Sequence, residues 1–514
     1  MALSTIRRMT GYVGLARDAY RLRRADDEQV QELARRHLIQ RMGKLRGLPQ
    51  KLGQMLSFSH GQDDVSAEDF SALNESAQPL PVDAVRPLLT TAWGGPPEQF
   101  VKHFDPSAKA ASLGQVHAAT MHDGRRVAVK VQYPGIRDAV MADLKMFGWL
   151  SVPLGGLRRG FDLASYRQVV LEDIERELDY RQEAENQRRF SEWADNEPRL
   201  AVPRVVDELS TDKVLVSAWE DGDDWKTVQR EWSQEDRAKL AETLLALFLE
   251  GLFSRGLLHA DWHPGNLRFR RIGGRVQLLL YDFGCVHKPS EEERLTLLRL
   301  IQATADRDDS PMPLLLKMGF QGEYLQPLSA NLPALCRILF EPFCVDYAYD
   351  MPDWRLGERV GDILGDDRWN FRIAGPPSAI FLLRAFHGLM YYMEGLSAPV
   401  RWRRLLDPYL SRHRKAMNAL ELPEAVGDEG SFATLATVMK IRVTENGRTK
   451  VELTTLAASI DHLQDLLDEE TTQRIQQRGI DLSAVTADVR RRGYAPGPVF
   501  DMTEGAKQIA VWLQ

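Results

Sequence analysis

Cysteine is scarce in this chain, with three in 514 residues: Cys285, Cys336 and Cys344. Three thiols cannot staple a protein of this length, so a disulfide scaffold is excluded and thiols packed in or near the core of a cytoplasmic protein are expected. Long apolar runs are missing as well. The best candidate, L240-A-E-T-L-L-A-L-F-L-E-G-L-F-S-R-G-L-L258, is interrupted by Glu242, Glu250 and Arg255. With no clean run of about 18 apolar residues, it reads as the buried helix of a large domain and not as a membrane span. The opening M1-A-L-S-T-I-R-R-M-T-G-Y-V-G-L-A-R-D-A-Y-R-L-R-R24 lacks the continuous apolar stretch of a secretory signal. An excess of positive charge is absent too: 66 Lys plus Arg stand against 73 Asp plus Glu, so no nucleic-acid partner is expected. The early arginines, R7-R8, Arg17 and R21-L-R-R24, suit a surface helix or a peripheral contact with a membrane.

What is present is a 44% hydrophobic, globular composition and one dense stretch of chemistry. H259-A-D-W-H-P-G-N266 is followed sixteen residues after Asn266 by D282-F-G284. Asp261 and Asn266 are five apart, with Pro264 and Gly265 shaping the loop between them. That spacing lets an Asp face an acceptor hydroxyl while an Asn oxygen reaches a metal, and Asp282, at the end of the apolar strand V276-Q-L-L-L-Y281, can bridge a divalent ion to phosphates. The pattern is that of phosphoryl transfer with ATP and Mg²⁺ as cofactors. His259 and His263 flank Asp261, but a His pair on a Pro-Gly loop lacks the helix and Glu of a zinc hydrolase. His259 is expected to orient the loop and His263 to pack it.

Lys130 closes the alternating run V127-A-V-K130. A strand sends its ammonium to the face opposite Val129, where it can meet phosphates. The segment E177-L-D-Y-R-Q-E-A-E-N186 offers Glu177 as the ion-pair partner of Lys130, with Asp179 in the same polar network. A G-x-G-x-x-G phosphate loop is absent. In its place stands A108-K-A-A-S-L-G-Q115, where Ala110, Ala111 and Ser112 would offer backbone donors to a nucleotide. Ala218 and Trp219, at the end of V214-L-V-S-A-W219, are the expected adenine-side contacts.

The organisation is α+β. Helices are expected at V82-D-A-V-R-P-L-L89, over 136–147 and within 162–195. Asp123-Gly124 predicts a hairpin joining S112–T120 to R125–V131, and further strands are expected at V202–V206 and V214–W219. R268–Y281 reads as another hairpin in a mainly helical region. After a linker at E421–G430, Asn446-Gly447 predicts a hairpin over T437–T455, with helices over 459–478. The aromatics Trp219, Trp262, Phe386 and Tyr391 are assigned to core or interface packing before any lipid groove.

These motifs, in order K51-L-G-Q54, A110-A-S-L-G-Q-V-H117, V127-A-V-K-V-Q-Y-P-G135, E177-L-D-Y180, E183-A-E-N186, H259–N266 and D282-F-G284, resemble the ABC1/UbiB/ADCK/COQ8 family of atypical kinase-like proteins. The resemblance covers roughly residues 30–415. It implies a protein-kinase-like bilobal fold: a helical N-terminal extension over 1–100, an N-lobe over 101–225 and a helical C-lobe over 226–420, followed by a C-terminal hairpin-plus-helices appendage over 431–514. It implies that Lys51 and Gln54 occupy the usual protein-substrate region, that Lys130 and Glu177 position nucleotide, that Asp261 is the catalytic Asp, and that Asn266 and Asp282 are metal ligands. It further implies ATP-dependent kinase or ATPase activity tied to lipid or isoprenoid ligands, quinones among them, with peripheral membrane contact. Trp262 stands where the family commonly has Pro, and Ala218 where Glu is common. The same residues also fit a small-molecule kinase, or an ATP-responsive scaffold that recruits a protein partner through the C-terminal appendage.

Overall fold

The computed structural model describes residues 79–111, 113–147, 175–424, 435–446, 448–463, 469–505 and 507–514. Lys51, Gln54 and Ser112 lie outside the described residues. The chain divides into two compact units. The first holds the described residues up to Leu247 with Leu258–His287 and Ile380–Tyr392, and the second holds Phe248–Leu257, Lys288–Ala379 and Met393–Gln514.

The first unit is built on an antiparallel sheet of order β1 (Val101–Ala110), β2 (Gly114–Met121), β3 (Arg126–Gln132) and β5 (Val214–Ala218). The expected Asp123-Gly124 turn joins β2 to β3, with Gly124 at φ 90°, a conformation glycine adopts at no steric cost. Strand alternation sorts the two faces. Val127, Val129 and Val131 are buried against Val85, Leu89 and Trp93 of the helix Val82–Trp93, each such side chain contributing about 1.5–3 kcal/mol. Lys130 points to the other face, where the helix Tyr180–Ala194 packs Tyr180 and Ala184 on Leu215. β1 was not expected from the sequence, because Asp105 and Pro106 interrupt its alternation. It is an edge strand whose register shifts between Phe104 and Ala108, and an edge tolerates proline.

A second sheet, β4 (Leu200–Ala201), β8 (Arg275–Leu280) and β7 (Leu267–Ile272), contains the expected hairpin, turned by Gly273 and Gly274 at φ 57° and 78°. β4 runs parallel to β8, and Asp223 bridges Phe269. These pairings explain why 258–287, placed with the helical lobe on sequence grounds, groups with the first unit. The short strands β6 (Leu258–His259) and β9 (Val286–His287) pair antiparallel, closing the segment between them into one clasped loop.

The second unit is helical, with the helices Glu291–Asp306, Leu332–Leu339, Leu356–Leu364 and Trp402–Asn418. Ser290 and Glu293 form a reciprocal capping box at the first of these, satisfying two backbone donors. A four-stranded sheet of order β11 (Arg448–Leu456), β10 (Val438–Glu445), β13 (Lys507–Leu513) and β12 (Gly497–Glu504) completes it. Asn446 sits at φ 50° in the predicted β10–β11 turn. Met439, Val511 and Leu513 of this sheet share one apolar core with Leu314, Leu335 and Ile338, so the described elements after 431 pack into the same core as the preceding helices. No described helix is long and apolar enough to cross a membrane.

Candidate active site

Lys130 meets two carboxylates. Its Nζ lies 2.6 Å from Glu183 Oε1 and 3.0 Å from Asp282 Oδ2. The sequence reading gave the first of these places to Glu177, and the structure corrects it to Glu183. The reason is where the helix starts: Asp179 is its N-cap, accepting from the Arg181 N–H at 3.0 Å, so Glu177 precedes the helix altogether. From that cap the inward stripe runs Tyr180, Glu183, Ala184, Gln187, Phe190, the spacing of one helical face. Asp179 is spent on capping and does not join the Lys130 pair. Glu177 instead lies beside the D282-F-G284 turn, where a methyl group on Gly284 would come 3.5 Å from Glu177 Cγ and 3.2 Å from Asp282 Oδ1.

Asp282 has φ 49°, a left-handed conformation that Asp adopts at some cost. Its Oδ1 accepts from the Gly284 N–H at 3.1 Å, a local turn bond that helps hold it there. His259 fixes the same residue from the other side. Its Nδ1 accepts from the Asp261 N–H at 3.3 Å, so Nε2 carries the proton and donates to the Asp282 carbonyl at 2.8 Å. One imidazole therefore ties the backbones of Asp261 and Asp282 together. Phe190 packs on both His259 and Phe283, and Asn186 donates to the Phe283 carbonyl at 3.1 Å.

Asn266 donates from Nδ2 to Asp261 Oδ2 at 3.0 Å, and its carbonyl accepts from the Tyr281 N–H at 2.8 Å. The β7–β8 hairpin thus sets Asn266 directly across from the residue preceding Asp282. The other Asp261 oxygen, Oδ1, lies 3.3 Å from Nη2 of Arg384, a buried residue of the helix Ala379–Leu396. No sequence signal pointed to Arg384, since it lies in an apolar helix far along the chain. His263 packs the loop as expected, its Nδ1 accepting from the Gly265 N–H at 3.0 Å. Burial lowers its pKa.

The residues expected on the nucleotide side are more constrained than the sequence suggested. At the β1–β2 turn the Ala111 N–H donates to the Gly114 carbonyl at 2.8 Å, so that donor is already used; Ala110 ends β1 opposite Gln115. A side chain at Gly114 would strike the Val131 carbonyl at 2.3 Å and the Tyr180 hydroxyl at 2.6 Å, which makes glycine a packing requirement here. The Ala218 N–H donates to the Arg204 carbonyl at 2.7 Å and the Trp219 N–H to the Arg126 carbonyl at 2.9 Å. Neither is free for an adenine in this arrangement. The Trp219 ring lies 4.6 Å beneath the Arg126 guanidinium.

Electrostatically, burial opposes the charge on Lys130, but Asp282 and Glu183 outweigh it and hold its pKa above the ordinary range. Burial pushes the Glu183 carboxyl up to about 7, against the pull of Lys130. A carboxyl raised in the folded state contributes stability that is complete below its unfolded pKa and is lost as pH rises through the folded one. The window here runs from the ordinary value of 4.5 to about 7. The melting temperature of the wild-type protein is therefore expected to fall more steeply between pH 5 and pH 8 than that of E183Q; parallel profiles would contradict it. Among the described residues, no three His, Cys, Asp or Glu side chains gather to hold a metal on their own.

Comparison with known proteins follows the same outline. Residues 72–313 match the model of the ABC1 atypical kinase-like domain. The mitochondrial atypical kinase COQ8 of Saccharomyces cerevisiae is 27% identical over 383 residues, covering 72% of this chain and 74% of that one. The mitochondrial atypical kinase COQ8B of Rattus norvegicus is 28% identical over 398 residues, covering 76% and 74%. Among solved structures, the Rv3197–erythromycin complex from Mycobacterium tuberculosis matches with a TM-score of 0.51 and 28% identity, over 74% of this chain and 97% of that chain. The chain belongs to the ABC1/UbiB/ADCK/COQ8 family of atypical kinase-like proteins.

Proposed function

We propose that this protein is a Mg-ATP-dependent atypical kinase or ATPase of the ABC1/UbiB type, coupled to lipid or isoprenoid metabolism of the kind that includes quinones. The observation that carries the reading is the Lys130 ammonium bonded at once to Glu183 and Asp282. Three segments far apart in the sequence, a strand, a helix and the D282-F-G turn, are joined there by charge. Such a lysine is held ready for phosphate oxygens, and Glu183 would keep it in place if Asp282 held a metal.

The donor set fits magnesium, which takes one or two carboxylates and completes its shell with water and phosphate oxygens. Asp282 and Asn266 would hold it. Bound Mg-ATP supplies the transferable phosphoryl group and positive charge to offset what develops in the transition state. Asp261 orients the attacking water or hydroxyl. His259 keeps the Asp261 loop in register with the Asp282 turn, and Lys130 binds phosphate.

The same proposal extends to a bilobal kinase-like architecture, with residues 1–100 as an extension whose Lys51 and Gln54 restrain protein phosphorylation, and to a cytoplasmic site of action at a membrane periphery. A small-molecule kinase is the second reading, favoured by the solved relative whose complex is with erythromycin. Magnesium-dependent ADP release from the purified protein, measured with and without anionic liposomes, tests the proposal. Mass analysis of the products separates water from protein and metabolite acceptors. Absence of both nucleotide binding and ADP release in the presence of magnesium would overturn it.

A further inference from the structure

Arg384 lies outside every motif that marks the site, yet it reaches the central carboxylate. Its Nη2 is 3.3 Å from Asp261 Oδ1, while Asn266 Nδ2 is 3.0 Å from Oδ2. Both oxygens of Asp261 are thereby held, one from the hairpin side and one from the helix Ala379–Leu396. A carboxylate bonded at both oxygens cannot rotate about its last torsion without losing a charge-assisted contact. The guanidinium is also anchored behind, with Nη1 3.5 Å from Cys285 Sγ, just after the D282-F-G turn.

The helix is seated to deliver this residue. One turn beyond Arg384, Gly388 faces Trp262, and a methyl group at 388 would fall 2.3 Å from Trp262 Cβ. The absence of a side chain lets the helix backbone press onto the Asp261 loop at its bulkiest residue. Phe381, one turn before Arg384, joins Ala260 and Cys285 in a small apolar cluster and stacks on His287 at 5.6 Å. Arg384 and Gly388 lie four apart on the same helical face, so the close approach at 388 fixes the height at which Arg384 meets Asp261.

We propose that Arg384 is a positioning residue of the phosphoryl-transfer site: it fixes the orientation of the Asp261 carboxylate toward the acceptor, and the Gly388–Trp262 contact sets its reach. The inference rests on the reading of Asp261 as the acceptor-facing group. It concerns the chemical step and leaves nucleotide binding, which Lys130 and Asp282 serve, untouched.

Steady-state turnover and calorimetric nucleotide binding of D261N, R384M, R384K and G388A test it, with thermal melts to report folding. R384M is expected to lose about 10²-fold in kcat, the scale of a misplaced reacting group. R384K, which restores a charge without the planar fork, should recover to within about tenfold of wild type. Nucleotide affinity should stay within about twofold throughout, the signature of an interaction felt at the chemical step. G388A, which leaves every charge in place, should show the same split, and it carries the test if R384M does not fold. D261N with wild-type turnover would sink the underlying reading of Asp261. D261N inactive while R384M and R384K turn over normally would overturn the Arg384 inference alone, as would loss of nucleotide affinity in step with kcat.

Discussion

Asp282→Asn is expected to abolish magnesium-dependent ADP release, by about 10³-fold or more, the scale of losing a preorganised electrostatic group, while the fold survives. Asparagine tolerates the left-handed conformation found at 282 (φ 49°), and its side-chain oxygen can still accept from the Gly284 N–H. Lys130 loses one partner but keeps Glu183 at 2.6 Å, so no buried ammonium is stranded. What disappears is the carboxylate charge, the only feature of Asp282 that a divalent cation needs and an amide cannot supply. Asp282→Ala is the less informative change, because it adds backbone strain and removes the turn bond. Wild-type turnover in D282N at equal magnesium would remove Asp282 from the metal role.

Much of the site was legible because its residues sit in short, chemically unusual strings. Asp261, Asn266 and Asp282 are set by a Pro-Gly loop and a hairpin whose turn glycines announce themselves, and Lys130 by strict strand alternation. Glu183 was missed because two glutamates six apart compete for one place, and only the cap at Asp179 decides which lies on the inner face. Had the helix been started at Asp179 from its capping preference, the stripe at 180, 183, 184 and 187 would have selected Glu183. Arg384 carried no such cue. Its helix reads as apolar filling, and only the approach of Gly388 to Trp262 brings it to the loop. β12 and β13 were passed over for a related reason: their partners are each other and β10, and the pairing of Met439 with Leu513 spans most of the second unit's tail.

That tail carries the last prediction. Asp461 is almost fully buried and accepts from Arg490 Nε at 2.8 Å and from the Tyr494 hydroxyl at 2.9 Å, while Arg359 Nη2 lies 2.5 Å away. Arg359 also pairs with Glu341 at 2.5 Å, and Arg490 with Asp362 at 2.6 Å. The network joins helices before residue 380 to elements after 431, within the same unit whose apolar core they share. Asp461→Ala leaves two buried guanidiniums short of charge compensation, and removing one partner of a buried pair costs about 3–5 kcal/mol. By contrast, Glu452 bonds Arg442 at 2.9 Å on a solvent-exposed face, where screening by water leaves an ion pair little to contribute. Hydrogen exchange over β10, β12 and β13 should therefore quicken sharply in D461A and stay near wild type in E452A. Equal protection in the two variants would mean that the tail is held by its apolar packing alone and that the buried charges are idle.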